Sequence, residues 1–246
     1  MENFYQGALH NIAQGDCLDI MKMIPDACVD MILCDLPYGT TQNKWDSVIP
    51  FELLWAQYKR ICKGAVVLTA AQPFTSALVM SNIEDFRYDW TWKKEKGTGH
   101  LNAKKMPMRD KEDILVFYSS QPIYNPQMTE GKPFGNKRGR NTSSYGAHEA
   151  KNNENEGKRY PKQVLEFTSV GKGGTHPTQK PVALMEYLIK TYTMPGQVVL
   201  DNCMGSGTTG VACVNTGRYF MGIEKEEIYF NIAKERIESA YKDATA

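Results

Sequence analysis

Asp35-Leu36-Pro37-Tyr38 follows the apolar run Val29-Asp30-Met31-Ile32-Leu33-Cys34 with no helical pattern between them. A buried strand ending in these four residues sets a carboxylate, a backbone carbonyl fixed by the following proline and an aromatic face side by side in a crevice. The trio suits an amine on a planar ring. Such an amine is a poor nucleophile because its lone pair is delocalised into the ring. If Asp35 accepts one N–H and the Leu36 carbonyl accepts the other, the nitrogen can become tetrahedral as it attacks while Tyr38 stacks on the ring. This chemistry needs neither a covalent intermediate nor a metal. Taken alone, a turn-forming aspartate and a core tyrosine account for the same residues without any catalysis.

A second unit lies far along the chain. Val198 to Asp201 reads as a strand, and Gly205-Ser206-Gly207-Thr208-Thr209-Gly210 satisfies G-x-G-x-x-G at the opening of a helix. Small residues there permit a tight turn, close approach of a ligand to the backbone, and close packing of helix on strand. Asp201 stands at the carboxyl end of its strand, where open sheets bind ligands. Glu224 ends the next strand, 19 residues after Gly205, where a carboxylate can accept hydrogen bonds from both hydroxyls of a ribose. The pattern predicts a cofactor pocket, although NAD binding or a glycine turn that only packs would produce the same spacing. Only 36 residues follow Gly210, too few to complete an open sheet. The remaining strands are therefore expected earlier, with the two halves of one active site written in permuted order.

With these motifs together, the chain resembles the amino-directed DNA methyltransferases that use S-adenosylmethionine, in the permuted class where the catalytic tetrapeptide precedes the cofactor motif. Asp35-Leu36-Pro37-Tyr38 is similar to that family's Asp-Pro-Pro-Tyr, with Leu36 in place of the first proline. Thr175-His176-Pro177-Thr178-Gln179-Lys180-Pro181 resembles its motif before the cofactor strand, and Asp201-Asn202-Cys203-Met204-Gly205-Ser206-Gly207-Thr208-Thr209 its glycine motif. The resemblance covers nearly the whole chain. It implies that Thr178, Gln179 and Lys180 hold the methionine end of the cofactor, Glu224 the ribose, and Asp16-Cys17 the adenine edge, with Asp35 also touching the cofactor. His176, beside Pro177, is expected to order its loop. The implied reaction is methyl transfer to the exocyclic N6 amine of an adenine turned out of duplex DNA. Aspartate at position 35 resembles the adenine form and serine would resemble the cytosine form, although some N4-cytosine enzymes carry aspartate. An NAD-dependent oxidoreductase and a catalytically idle DNA-binding subunit are the readings from other classes.

The elements that must position these residues follow from periodicity. Phe51 to Cys62 predicts a helix stopped by Gly64, Ala65 to Ala70 a buried strand, and Phe74 to Ser81 a helix entered through Pro73. Tyr88 to Trp92 and Ile114 to Tyr118 read as strands, and Val182 to Tyr192 as a helix opened by Pro181. The expected fold is α/β: a Rossmann-like methyltransferase fold with a mixed, mostly parallel sheet, helices on both faces and permuted motif order, forming one domain over residues 1–246.

Net charge is +1 over 246 residues, but residues 93–172 carry 16 Lys and Arg against 9 Asp and Glu, leaving 13 against 19 elsewhere. This basic excursion is where the resemblance places target recognition. Lys93, Lys94, Lys104, Lys105 and the run Lys137-Arg138-Gly139-Arg140 are the candidates for phosphate contacts, with a solvated face as the plainer reading. Gln127 to Lys162 shows neither helical nor strand period. No apolar stretch reaches a membrane span and the start lacks a signal-peptide pattern, so a cytosolic protein with six reduced thiols is expected. Duplex DNA is the expected partner, and a homodimer is compatible with the sequence.

Overall fold

In chain order, the computed structural model contains β1 (Phe4–Gln6), β2 (His10–Gln14), α1 (Cys17–Met21), β3 (Val29–Asp35), α2 (Phe51–Ile61), β4 (Cys62–Ala70), α3 (Phe74–Ser81), β5 (Phe86–Thr98) and β6 (Arg109–Phe117). The short strands β7 (Thr129–Glu130), β8 (Phe134–Arg138), β9 (Asn141–Ser143), β10 (Gly146–His148), β11 (Lys151–Asn155) and β12 (Lys158–Arg159) come next. They are followed by β13 (Val164–Glu166), α4 (Val182–Tyr192), β14 (Val198–Asp201), α5 (Thr208–Thr216), β15 (Tyr219–Glu224) and α6 (Glu227–Thr245). The structure describes residues 4–7, 10–40, 46–138, 141–143, 146–148, 151–170 and 179–245.

One sheet of nine strands, in the order β1-β2-β15-β14-β3-β4-β6-β5-β13, carries the main unit, residues 1–125 and 163–246. The centre is parallel, β2 to β4, because its strands are buried on both faces; β1 and β6 run against their neighbours. β14, which comes late in the chain, lies directly beside β3. Apolar side chains of α1, α2 and α3 fill one face, including Met21, Leu54, Tyr58 and Leu78. α4, α5 and α6 fill the other with Leu188, Ala212 and Ile237. This is the expected α/β fold with helices on both faces.

Two local readings are corrected. Gly64 does not cap α2: it lies inside β4, where a Cβ would come within 1.9 Å of the Asp30 carbonyl oxygen, so close strand approach is what requires glycine. β5 and β6 run well past the aromatic cores that marked them, because their charged ends pair as an antiparallel ribbon. Residues 126–162 form a separate compact unit, in which β8 pairs with β11, β9 with β10, and β7 with β12. The basic stretch 93–172 thus contains the end of β5, all of β6, this second unit and β13. Among the described residues no helix is long and apolar enough to cross a membrane.

Candidate active site

The site lies at the carboxyl ends of β3 and β14, where an open parallel sheet leaves a crevice between its crossovers. Asp35 is the last residue of β3 and registers with Thr69 of β4. Its Oδ2 accepts a hydrogen bond from Lys180 Nζ at 2.6 Å, and its Oδ1 one from the Tyr38 hydroxyl at 2.8 Å and a second from the Thr69 hydroxyl. Burial by itself would raise the Asp35 carboxyl, but the Lys180 ammonium, with these hydrogen bonds, holds it below the ordinary carboxylate range. Lys180 is 6% exposed and also lies 3.2 Å from Glu112 Oε2. Desolvation would lower its ammonium, yet the two carboxylates keep its affinity for the proton above normal. The far oxygen of Glu112, Oε1, pairs with Lys94. Four alternating charges therefore run Asp35, Lys180, Glu112, Lys94.

Tyr38 stacks on Phe74 with ring centroids 5.1 Å apart and planes 24° from parallel, and burial raises its hydroxyl pKa well above normal. Leu36 is 4% exposed, and its side chain joins the core on the α2 and α3 face. The turn after the tetrapeptide is clamped by Asp46, whose carboxylate accepts the Gly39 N–H at 2.8 Å and the Thr40 N–H at 2.9 Å.

At β14, the Asp201 carboxylate accepts the Thr209 hydroxyl at 2.6 Å and the Cys203 N–H at 3.1 Å, tying strand, turn and helix together. Burial pushes its carboxyl up to about 6 despite these donors. Glu224, at the end of β15, accepts the Gly205 N–H and the Glu226 N–H, each at 2.8 Å; burial raises its carboxyl against those donors. Gly207 adopts φ 78° at the entry of α5, where a Cβ would also meet Ala233 of α6 at 2.9 Å. The motif's glycines therefore serve helix packing as well as the turn. Ser206 is held by Arg236, whose Nη1 lies 2.9 Å from its hydroxyl.

One pocket is lined by Asp35, Leu36, Pro37 and Tyr38 from the first motif, by Gln179 and Lys180, and by Asp201, Cys203, Gly205, Ser206, Thr208, Thr209 and Glu224 from the second. Asp16 and Cys17 line it as well; Asp16 caps α1, accepting the Leu18 N–H at 3.0 Å. Gly207 is the one described residue of the expected set that packs behind the pocket wall instead of lining it. Residues 29–235 match the model of the N6/N4 DNA methylase family. The chain belongs to this family. It is a DNA methyltransferase. The type II methyltransferase M.HinfI of Haemophilus influenzae is 26% identical to it over 93% of this chain and 68% of its own length. The type II methyltransferase M2.DpnII of Streptococcus pneumoniae is 48% identical over 66 residues, 27% of this chain and 25% of that one. Among solved structures, M1.HpyAVI in its SAM complex superposes with TM-score 0.65 at 28% identity, covering 93% of this chain and 98% of its own. The cytosine-N4-specific PvuII DNA methyltransferase gives TM-score 0.67 at 15% identity over 98% of this chain and 94% of its own, a likeness of fold.

Thr178 and His176 lie outside the described residues, as does Arg140, while Lys137 and Arg138 fall in β8. Lys104 and Lys105 are exposed on this methyltransferase. Lys93 is half-exposed and pairs with Glu166 at 2.8 Å. Lys94 faces inward onto Glu112 with 14% of its side chain exposed, so its charge belongs to the Asp35 network and not to a phosphate-facing surface. The sequence reading missed Thr69, Asp46, Asn202 and Glu112. Asn202 accepts the buried Tyr58 hydroxyl at 2.5 Å, which anchors the glycine turn to α2. Glu112 left no signal of its own, since it sits between Lys111 and Asp113 in a charged run just before the strand turns apolar.

Proposed function

We propose that this chain methylates the exocyclic N6 amine of an adenine extruded from duplex DNA, with S-adenosylmethionine as donor and the permuted motif order of its class. The observation that carries the reading is the meeting of two motifs in one pocket: the Asp35 tetrapeptide at the end of β3 and the glycine turn at the end of adjacent β14. The donor set fits the cofactor. Glu224 is held by two backbone N–H groups and keeps lone pairs for ribose hydroxyls, and Asp16, Cys17, Gly205, Asp35 and Lys180 line the same pocket. Gln179 and Lys180 would hold its methionine end. Bound there, the cofactor supplies an electrophilic methyl group.

The chain's own residues prepare the amine. Oδ1 of Asp35 is filled by two hydroxyls, whereas among the described residues Oδ2 receives Lys180 alone and keeps a lone pair for an amine N–H. Lys180 keeps that carboxylate ionised, so it accepts and does not donate. The Leu36 carbonyl takes the second N–H, and Pro37 fixes its direction. Together they localise the nitrogen lone pair. Phe74 stacks on Tyr38 and holds its ring, with Lys180 Nζ 5.8 Å from the ring centroid. After attack the surplus proton passes from the amine to Asp35. Adenine is favoured over cytosine by the aspartate at position 35, in keeping with the resemblance of its motif. Sequencing native DNA from cells that express the chain, beside cells expressing Asp35→Ala, tests the reading. Modified adenines at one recurrent sequence in the first culture only are expected; unmodified DNA in both would sink it.

A further inference from the structure

The ribbon of β5 and β6 reaches over the site. Asp35, Thr69, Ile114 and Trp90 form one row across the sheet. From that row β6 continues five residues, from Ile114 back to Arg109, past the carboxyl ends of β3 and β4, roughly 16 Å at the strand rise. Glu112 on this stretch lines the pocket and pairs with Lys180, so the ribbon leaves the sheet at the reaction centre and its turn lies beyond it. The turn, residues 99–108, presents Leu101 at 88% exposure beside Met106 and Met108, both more than two-fifths exposed. Around them residues 95–110 carry four Lys and Arg against two carboxylates, Glu95 and Asp110, while Lys93, Lys94 and Lys111 pair with Glu166, Glu112 and Asp113. Lys96, Lys104, Lys105 and Arg109 are all exposed.

We propose that this tip is a wedge for the DNA stack: Leu101 enters the space vacated by the extruded base, while Lys96, Lys104 and Lys105 hold the flanking phosphates. An exposed leucine ringed by cations matches a partner that is anionic outside and apolar between its stacked bases, which is a nucleic-acid duplex and not an acidic protein face. The overhang exceeds the depth of either groove, about 7.5–8.5 Å, so the tip can reach the stack while the base sits at Asp35. The inference rests on the base extrusion proposed above.

Single-turnover methylation tests it on two duplexes that carry the mapped sequence, one intact and one with an abasic position opposite the target. Leu101→Ala is expected to slow the intact duplex about tenfold or more, and to run near the wild-type rate on the abasic duplex, where extrusion is already easy. Lys104→Ala with Lys105→Ala should flatten the salt dependence of DNA binding by up to about two units of log–log slope. Equal rates for Leu101→Ala and wild type on intact duplex would overturn the wedge. So would an equal loss on both duplexes, or a change in oligomeric state in Leu101→Ala, which would make the tip a protein contact. A wild type inactive on both duplexes would bring down the methyl-transfer reading, and the wedge with it.

Discussion

Replacing Lys180 by methionine removes an ammonium that is 6% exposed and stands 2.6 Å from Asp35 and 3.2 Å from Glu112. Methionine fills nearly the same volume, so the packing loss is small and the effect is electrostatic. Two partly buried carboxylates then face each other, Asp35 with two hydroxyl donors and Glu112 with Lys94 on its other oxygen. Removing one partner of a buried ion pair costs about 3–5 kcal/mol. At roughly 2–4 °C per kcal/mol for a chain of this size, Tm should fall by about 6–20 °C. Adding Glu112→Gln to Lys180→Met removes one of the stranded charges, so the double variant should be at least ~1 kcal/mol more stable than the sum of the singles. The sign for activity is fixed too: without the ammonium, burial raises the Asp35 carboxyl, so the acid limb of kcat moves to higher pH and activity partly returns in alkali. Urea unfolding of the four proteins and kcat–pH profiles at saturating cofactor measure both. Additive stabilities together with an unmoved acid limb would refute the network.

Other outcomes are equally specific. Asp35→Asn keeps the shape but loses the anionic acceptor, and single-turnover rate at saturating cofactor should drop at least ~100-fold; a rate within about tenfold of wild type would remove Asp35 from the chemistry. Asp201 is raised from 3.8 to about 6 in the fold, so its protonated form is favoured: that stability is full below about pH 4 and is lost as pH rises through 6, some ~3 kcal/mol in all. Asp201→Asn should abolish this part of the pH dependence in chemical unfolding, and a parallel curve for the variant would contradict the assignment. Neutralising Lys137, Arg138 and Arg140 together should lower the salt slope of DNA binding by up to about three units without moving cofactor affinity, and an unchanged slope would make the run a solvated surface.

The two motifs were legible because each is local: a strand ending in a fixed tetrapeptide and a strand–glycine–helix unit reveal themselves within a few residues. Helices α3 and α4 kept the bounds their prolines and apolar spacing imply, Phe74–Ser81 and Val182–Tyr192. What escaped depends on distance in the chain. Lys180 meets Asp35 across 145 residues, and Glu112 becomes functional only through that meeting. The ends of β5 and β6 escaped for another reason. Lys93 to Thr98 pairs with Arg109 to Lys111 through backbone hydrogen bonds, and without a buried face it leaves no alternation to read. The short strands of residues 126–162 are likewise two-stranded pairs, and their glycine- and asparagine-rich composition spells a loop.

The central claim is methyl transfer to an adenine amine, and the most direct measurement follows the methyl group itself. Duplex DNA carrying the mapped sequence is incubated with the protein and S-adenosylmethionine labelled in its methyl group, digested to nucleosides and separated by mass. The label should appear in N6-methyladenine. Label in N4-methylcytosine alone, or DNA that stays unlabelled while the protein binds its cofactor, would contradict the account.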